Sequence, residues 1–381
     1  MEVRLAGDQC NFHETGVLRR LVEYLEVNHQ SKETDMSKKY GRAVSVFAWL
    51  LAALTALACM PAAYAQAKHQ WRIQTIVPAG SPNFKGYEQL AADIKEMTGG
   101  QVELRLLPAG AVVSATQTLE AVKQGVIDGH INYAFNWAGL EPGFAPMGDL
   151  SGAYFDTTRA LGFYYEDVGL SLLREMYAKH NIYVIGIDTG GAESLPSRKA
   201  IRTVDDLKGM RIRVPPGISA RILQELGATP VNLPFSEVFD ALSKGVVDAA
   251  DAGALHYNFS VGLHKDAKHA VYPGFHSTSM GDFSVNMERW NKLTPDLKRA
   301  LEVAMQNHVS RYARMLLIND LETVRKAREA GVTITTLSEN DRNKYRAVAR
   351  KAWDEWAQRS PMAKRAIDAH INYLKRIGAI E

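Results

Sequence analysis

The sequence predicts an α/β protein with two similar lobes, and three observations carry the prediction. Strand and helix patterns alternate along residues 71–250, which is typical of parallel βαβ units. The segment Glu120–Asp128 (EAVKQGVID) recurs as Asp240–Asp248 (DALSKGVVD). The 316 residues that follow position 65 exceed the size at which a single hydrophobic core stops growing. We therefore expect a ligand cleft between the lobes, because ligands of open α/β sheets collect outside the carboxyl ends of the strands.

Residues 1–65 are predicted to be an upstream extension followed by a secretory signal peptide. Lys38, Lys39 and Arg42 precede an apolar run at 43–60, and the small-residue pattern Ala63-Tyr64-Ala65 follows it. The run is short and alanine-rich for a transmembrane helix. Cleavage after Ala65 is expected, with a lipoprotein anchor at Cys59 as the alternative. The true start codon stays open.

The composition of the mature chain excludes several function classes. Cleavage removes both cysteines, so disulfides, thiolate metal sites and cysteine nucleophiles are not expected. It removes seven basic and seven acidic residues, so the net charge stays at +3 and no nucleic-acid binding is predicted. The sequence lacks HExxH, GxSxG, a Walker loop and GxGxxG at a strand-to-helix joint. A receptor is predicted, and an enzyme without a linear motif is the alternative.

The first lobe is predicted from alternating strand and helix patterns whose ends are marked by glycine and turn residues. Residues 78–82 turn the chain after its first strand, and Gly99-Gly100 ends the next helix. Gly125 and Gly245 end the two repeated helices, and Asp128 and Asp248 are expected where a strand leaves its sheet. The predicted elements are strands at 71–77, 101–107 and 126–135, helices at 84–97, 116–124 and 158–179, and a buried strand at 182–187 that crosses between the lobes.

The second lobe repeats this pattern, and helices dominate the rest of the chain. Thr294-Pro295 is a predicted N-cap with proline at the first helical position, and Ser338 opens a later helix. The predicted elements are strands at 211–214, 229–233, 246–250, 270–272, 283–286 and 332–337, with helices at 218–226, 235–244, 294–330, 338–356 and 362–377. The predicted hinge segments are 183–188 and 283–286. The expected boundaries are 66–186 for the first lobe, 187–285 for the second, and 286–381 for helices packing on both.

The segment Asp205–Gly217 (DDLKGMRIRVPPG) carries the strongest local indication of chemistry. Strand periodicity places Arg211 and Arg213 on one face, with Arg213 near the carboxyl end of the strand. There its planar guanidinium is suited to hold a carboxylate by two parallel hydrogen bonds, which a lysine cannot do. The following helix adds partial positive charge from its first amide groups. The alternative is that both arginines are solvated on an edge strand.

Three motifs together resemble the substrate-binding proteins of TRAP transporters. They are 205–215 (DDLKGMRIRVP), 226–230 (LGATP) and 234–248 (PFSEVFDALSKGVVD), and the similarity extends over about residues 70–330. The resemblance implies a periplasmic receptor with a two-lobe, type II-like periplasmic binding protein fold and long C-terminal helices. It also implies a small organic acid ligand and delivery to TRAP membrane subunits. The matching carboxylate-binding arginine is Arg213, and Arg211 is expected to be exposed.

Within that family, Tyr272–His276 (YPGFH) is similar to the branch that binds 2-keto and related monocarboxylates. This branch has an acidic residue followed by tryptophan after the strand 246–250, whereas this chain has Asp251 followed by Ala252. The smaller residue implies room for a bulkier or aromatic 2-keto or 2-hydroxy acid. The resemblance also allows a cation beside the acid, held by Asp251. The alternative for Asp251 is an exposed helix cap.

Further ligand-binding candidates lie at the ends of strands or match positions near the family's cleft. They are Phe84, Asn136, Trp137, Arg198, Phe275 and His276. Asn136 offers hydrogen bonds and Trp137 an apolar wall, with interlobe packing as the alternative for Trp137. Arg198 is alternatively a partner of Asp205 or Asp206. A dicarboxylate or sugar-acid receptor of the same family is the second functional reading, and monomer and homodimer both remain open.

Overall fold

The computed structural model describes residues 68–215, 217–233 and 237–381. The predicted extension, signal peptide and cleavage site at 1–65 lie outside these residues, as does the start of the helix predicted at 235–244. Ala65–Glu381 forms one compact unit. Within the described ranges, every helix is too short or too polar to span a bilayer.

The described residues form eleven strands and twelve α-helices, besides short 3₁₀ turns. The strands are β1 (His69–Thr75), β2 (Val102–Leu107), β3 (Gly129–Tyr133), β4 (Ile182–Ala192), β5 (Leu195–Ser197), β6 (Arg211–Val214), β7 (Thr229–Asn232), β8 (Ala249–Ala250), β9 (His269–Val271), β10 (Thr278–Asn286) and β11 (Thr333–Thr335). The helices are α1 (Pro82–Met97), α2 (Thr118–Lys123), α3 (Phe144–Gly148), α4 (Thr157–Tyr165), α5 (Gly169–Ala178), α6 (Ser219–Glu225), α7 (Val238–Ser243), α8 (Leu255–Ser260), α9 (Met287–Asn291), α10 (Pro295–Glu329), α11 (Glu339–Ala357) and α12 (Pro361–Arg376).

Two sheets define the two lobes, and the predicted α/β class is confirmed. The first-lobe sheet has the order β2-β1-β3-β10-β4, and the second-lobe sheet has the order β11-β9-β5-β8-β6-β7. β1 is parallel to β2 and β3, and β6 is parallel to β7 and β8, as βαβ units require. The carboxyl ends of β1 and β3 therefore share one edge of the first sheet, and those of β6 and β8 share one edge of the second.

Both repeated helix-to-strand joints are present, but Asp128 and Asp248 precede their strands, whereas the sequence predicted them at the strand ends. Gly125 and Gly245 are left-handed, with φ of 74° and 68°, and β3 and β8 begin only after Asp128 and Asp248. Each carboxylate accepts the backbone N–H of a residue on the neighbouring strand, at 2.8 Å for Asp128 and 2.9 Å for Asp248. Both aspartates therefore lie at the sheet edge opposite to the carboxyl ends.

The chain passes between the lobes at residues that differ from the predicted hinge segments. Residues 183–188 and 283–286 lie inside the antiparallel β4–β10 pair of the first sheet. The passage instead occurs at 193–194, between β4 and β5, and at 272–277, between β9 and β10. The prediction placed the outgoing passage too early, because the apolar run at 182–187 gives no indication that the strand continues through 188–192. It placed the returning passage too late, inside β10.

Helices close the remaining faces of both sheets. The helix predicted at 158–179 is two helices, α4 and α5, separated by residues 166–168. Helix α5 begins at Gly169, where a Cβ atom would lie 2.7 Å from the Phe163 ring. The 35-residue helix α10 begins at the predicted Thr294 cap and packs on α1, β4 and α8. Helix α11 contacts both lobes: Trp353 Nε1 donates to Ser151 O at 3.0 Å, and Asp341 accepts from the Val204 amide at 3.2 Å.

Candidate functional site

Four buried polar side chains meet where the chain passes between the two sheets. Arg213 lies near the carboxyl end of β6 and Asp251 directly follows β8, so both stand at the cleft edge of the second sheet. Glu193 lies on the outgoing segment between the lobes, and His276 lies on the returning one. We call Glu193, Arg213, Asp251 and His276 the crossing cluster. Each of them is at most 8% exposed.

Backbone contacts fix the two passing segments against each other. The Glu193 amide donates to Ser277 O at 3.1 Å. Only glycine fits at position 274, because the Cβ atom of any other residue there would lie 1.5 Å from the Glu193 carbonyl oxygen. Glu193 and His276 are thereby held on the same side of the passage, although 83 positions separate them in the chain.

Arg213 is held in place by hydrogen bonds to backbone carbonyls. Its Nε donates to Leu233 O at 3.0 Å and its Nη1 to Asp251 O at 2.5 Å, while the Asp251 amide donates to Arg213 O at 2.9 Å. Burial lowers the pKa of Arg213, and the carboxylates of Asp251 and Glu193 oppose that effect. The guanidinium is therefore a buried, positioned cationic group inside the cluster, and the alternative in which Arg213 is solvated on an edge strand does not hold.

The geometry of three cluster residues fits a metal ion. One ligand atom each from Glu193, Asp251 and His276 lies within 4.8 Å of the others. His276 Nε2 is 3.4 Å from Asp251 Oδ1, longer than a normal hydrogen bond. Both His276 ring nitrogens and Asp251 Oδ2 are buried without a hydrogen-bond partner among the described residues. Buried polar atoms are normally satisfied, so these atoms are suited to receive a cation or a ligand group.

The pKa values of three carboxyl groups in this region differ strongly from their usual values. Burial, together with the neighbouring Asp251, raises the pKa of Glu193 well above its usual range. Burial alone would raise the pKa of Asp251, but His276, a hydrogen bond from Glu193 and the charge of Arg213 outweigh it and lower that pKa. Burial and Asp251 also raise the pKa of Asp149. Clusters of perturbed carboxyl groups in a cleft are typical of functional sites.

Sequence reasoning missed Glu193 and Asp149. Both are single acidic residues within runs of apolar and small residues, in Gly190–Leu195 (GGAESL) and Phe144–Leu150 (FAPMGDL). An isolated carboxyl group in such a run is expensive to bury unless it is paired or functional, and that pattern could have identified them. Their proximity to Asp251 could not have been predicted, because it depends on the path of the chain between the lobes.

Aromatic side chains lie next to the cluster on the first-lobe side. Ser279 Oγ donates to Glu193 Oε1 at 2.7 Å, and the Tyr133 hydroxyl hydrogen-bonds to Ser279. The half-buried Tyr133 and Phe135 rings stack at 5.2 Å with an interplanar angle of 4°. This pair offers flat apolar surface beside the carboxyl groups.

The other residues predicted on the first lobe occupy different environments. Asn136 is half-buried in the 3₁₀ turn that follows β3 and donates from Nδ2 to Asn132 Oδ1 at 2.7 Å. Trp137 is 4% exposed, stacks on His130 at 5.0 Å and belongs to the core. Phe84 is 8% exposed in the hydrophobic core of the first lobe. Asn136 therefore stays a ligand-binding candidate, whereas Trp137 and Phe84 have packing roles in this structure.

The remaining predicted residues lie on the second lobe and the returning segment. Arg198 donates from Nη1 to Leu242 O at 2.8 Å at the C-terminus of α7, so it is neither in the cluster nor paired with Asp205 or Asp206. Arg211 is 48% exposed at its side chain and pairs with Asp248 at 3.3 Å, as expected for the solvent-facing arginine. Phe275 is 1% exposed and packs edge-on against Tyr345 of α11 at 4.9 Å, behind His276.

Comparison with known proteins gives a match over most of the chain. The sequence profile of the bacterial extracellular solute-binding proteins, family 7 (DctP), matches residues 73–359. The chain is 29% identical over 243 residues to the monocarboxylate 2-oxoacid-binding periplasmic protein all3028 of a Nostoc species. That alignment covers 62% of this chain and 65% of the relative, which is just under two thirds of its length.

Solved structures share the fold. A TRAP periplasmic solute-binding protein from Rhodobacter sphaeroides, in an apo open state, is 37% identical, with a TM-score of 0.71 over 81% of this chain and 99% of that one. A TRAP transporter solute-binding protein from Bordetella bronchiseptica, with calcium and picolinate bound, is 23% identical. Its TM-score is 0.74 over 82% of this chain and 94% of that one.

Proposed function

Because the chain belongs to family 7 of the bacterial extracellular solute-binding proteins, we propose that it is the periplasmic receptor of a TRAP uptake system. It captures a small organic acid between its two lobes and delivers the acid to the membrane subunits of that system. The observation that carries the proposal is the crossing cluster, which places Arg213 and three potential cation ligands at the passage between the lobes.

The ligand is a monocarboxylate with a second oxygen at its 2-position. Arg213 binds the carboxylate, because a buried guanidinium is suited to bidentate recognition of a planar carboxylate. The 2-keto or 2-hydroxy oxygen and one carboxylate oxygen then chelate a cation at Glu193, Asp251 and His276. The name of the Nostoc relative, which describes a 2-oxoacid-binding protein, supports this class.

Charge balance supports a cation and favours one acid group on the ligand. Glu193, Asp251 and the adjacent Asp149 are three carboxyl groups against one arginine and one histidine, and a bound acid adds a fourth. The raised pKa values of Glu193 and Asp149 reflect the cost of ionising them beside Asp251, and a cation with carboxylate ligands offsets that cost. A C4-dicarboxylate would add a fifth acid group, which makes it the less favoured ligand. Calcium in the Bordetella structure is consistent with this arrangement.

The ligand is proposed to be larger than pyruvate. Ala252 is half-buried directly after Asp251, where the related branch carries tryptophan, and it leaves space beside the acid. The stacked Tyr133 and Phe135 rings offer a flat surface on the other side of the cluster. A branched or aromatic 2-keto or 2-hydroxy acid uses both features.

A thermal-shift screen tests the proposal. Keto, hydroxy, aromatic and dicarboxylic acids are each added with calcium and, separately, with a chelator. A ligand at 100 times its dissociation constant adds about 2.7 kcal/mol of stability, which is readily measured. We expect bulky 2-keto or 2-hydroxy acids with calcium to stabilise most. Preference for dicarboxylates supports the second reading, turnover of an acid indicates an enzyme, and the absence of stabilisation by every acid contradicts the receptor.

A further inference from the structure

A second pocket is lined by residues that are distant in sequence from the crossing cluster. Arginines dominate its lining, whereas carboxyl groups dominate the cluster. The pocket has a volume of about 590 Å³, within the range of small-molecule sites. Its walls come from the first-lobe segment at 155–159, the start of α11, and residues 378–379 near the end of the chain. None of its lining residues belongs to the cluster, and the family function proposed above assigns it no role.

Arginines surround an aromatic ring in this pocket. The Arg346 guanidinium carbon lies 4.1 Å from the centroid of the Phe155 ring, and that of Arg342 lies 5.7 Å from it. Arg159 lines the same pocket. Three guanidinium groups are thus gathered in one cavity with an apolar surface provided by Phe155.

Arg346 and Arg342 differ in how their donors are used. Arg346 is held by three main-chain carbonyls: Nε donates to Gly152 O at 3.1 Å, Nη1 to Ala379 O at 3.0 Å and Nη2 to Ala153 O at 3.3 Å. Arg342 Nε, in contrast, is buried and has no hydrogen-bond partner among the described residues. The Arg342 Nη groups likewise make no hydrogen bond or ion pair with the described residues, and since Arg342 lines the pocket they are the donors available to an anion there.

The charge of the pocket is positive. Asp156 and Glu339 are its two acidic lining residues, against three arginines, which leaves a net charge of +1. Asp156 is already engaged, because its carboxylate accepts from the Arg159 amide at 2.8 Å and pairs with Arg159 Nε at 3.3 Å. Burial, and then the nearby charge of Arg159, lower the pKa of Arg346. Like charges brought together in this way favour binding of an anion.

We propose that this pocket is a second ligand site, which binds a small oxyanion of the carboxylate or phosphate class through Arg342 with support from Arg159. Arg346 positions the Phe155 ring and the main chain, and Arg342 supplies the donor that the protein leaves unused. Such an anion links the first-lobe segment at 155–159 to helix α11 and is bound independently of the acid in the cleft.

Calorimetric titration with inorganic phosphate and, separately, acetate tests the site and distinguishes the two classes of anion. Three variants separate the outcomes. Arg342→Gln removes the donor, Lys351→Gln removes the same charge from an exposed position of α11 that does not line the pocket, and Arg213→Lys perturbs the cleft. Arg342→Lys keeps the charge without the planar guanidinium, and it replaces Arg342→Gln in the titrations if that variant does not fold.

We expect at least one of the two anions to bind the unmodified protein. Loss of the Arg342 donor should weaken the affinity for that anion about tenfold or more. Lys351→Gln and Arg213→Lys should bind that anion within about twofold of the unmodified protein, since neither touches the donor. Two results overturn the proposal. One is that neither phosphate nor acetate binds, and the other is that binding survives in Arg342→Gln and is lost in Arg213→Lys, which places the anion in the cleft. Because that assay does not use the cleft ligand, its failure leaves the proposed receptor function standing.

Discussion

Replacement of Arg213 by lysine tests the centre of the proposed receptor site. Arg213 is 5% exposed, and its Nε and Nη1 donate to Leu233 O and Asp251 O, two acceptors that a single lysine ammonium cannot reach in the same geometry. Each lost hydrogen bond to a main-chain carbonyl contributes about 1 kcal/mol to stability. We therefore expect Arg213→Lys to lower the free energy of unfolding of the ligand-free protein by about 1–2 kcal/mol.

The effect on ligand affinity should be larger than the effect on stability. A charge-assisted hydrogen bond to a carboxylate contributes about 1.5–3 kcal/mol, which corresponds to a loss of about 10- to 150-fold in affinity. Titration calorimetry with the best acid from the thermal-shift screen measures the affinity, and chemical denaturation measures the stability. Temperatures are chosen at which the variant is folded.

Arg211→Lys is the matched control for this experiment. Arg211 lies two residues earlier on the same strand, its side chain is 48% exposed, and it pairs with Asp248 at the far edge of the sheet. Its replacement should leave ligand affinity within about twofold, since exposed ion pairs contribute little. Near-native affinity in a folded Arg213→Lys protein would refute the assignment of Arg213 as the carboxylate partner, and a stability loss alone would reduce its role to a structural one.

Four further predictions follow from the structure. Ala252→Trp should shift preference toward pyruvate and lactate, and an unmodified protein that already binds these two acids most tightly would contradict the enlarged pocket. Glu193→Gln should weaken calcium binding about tenfold or more in calorimetry, and acid binding that is unaffected by a chelator would argue against the cation. Small-angle scattering should show compaction when a saturating acid closes the lobes about 193–194 and 272–277, whereas identical profiles would indicate a preformed site. Burial alone would raise the pKa of Asp248, but hydrogen bonds from Arg211 and Lys199 lower it to about 2. The resulting stabilisation is present above the unfolded pKa of about 3.9 and is lost as the pH falls toward 2. Asp248→Asn should therefore cost about 1–2 kcal/mol at pH 7 and little at pH 2, and denaturation curves with equal losses at both pH values would contradict it.

The sequence predicted the secondary structure well wherever local chemistry decides it. The Thr294-Pro295 start of α10, the Ser338 cap of α11 and the strand β6 all lie where their patterns indicated. These features depend on neighbouring residues alone, namely capping side chains, proline at the first helical turn and alternation of buried positions. Arg213 was likewise predicted as a site residue from its position near a strand end, whereas Asp251 was predicted from the family resemblance.

Errors arose where position depends on a neighbouring strand. Asp128 and Asp248 were expected at the ends of strands, yet each binds the amide of a strand that is distant in sequence and so marks the start of its own strand. Arg198 was expected near the ligand, yet carbonyls at the end of α7 hold it. Hydrogen bonds between distant segments decide these positions, and local periodicity carries no information about them.

By itself, the sequence determined an α/β chain with a duplicated helix-to-strand joint, a positively charged strand end at Arg213 and an acidic residue after β8. The tertiary structure alone decided that Glu193 and His276, which lie on separate segments passing between the lobes, stand beside Asp251. The physical reason is the close approach of these two segments, which Gly274 permits by its lack of a side chain and the Glu193–Ser277 hydrogen bond maintains. Contact between residues that far apart in the chain follows from how the two sheets are connected and cannot be deduced from either segment alone.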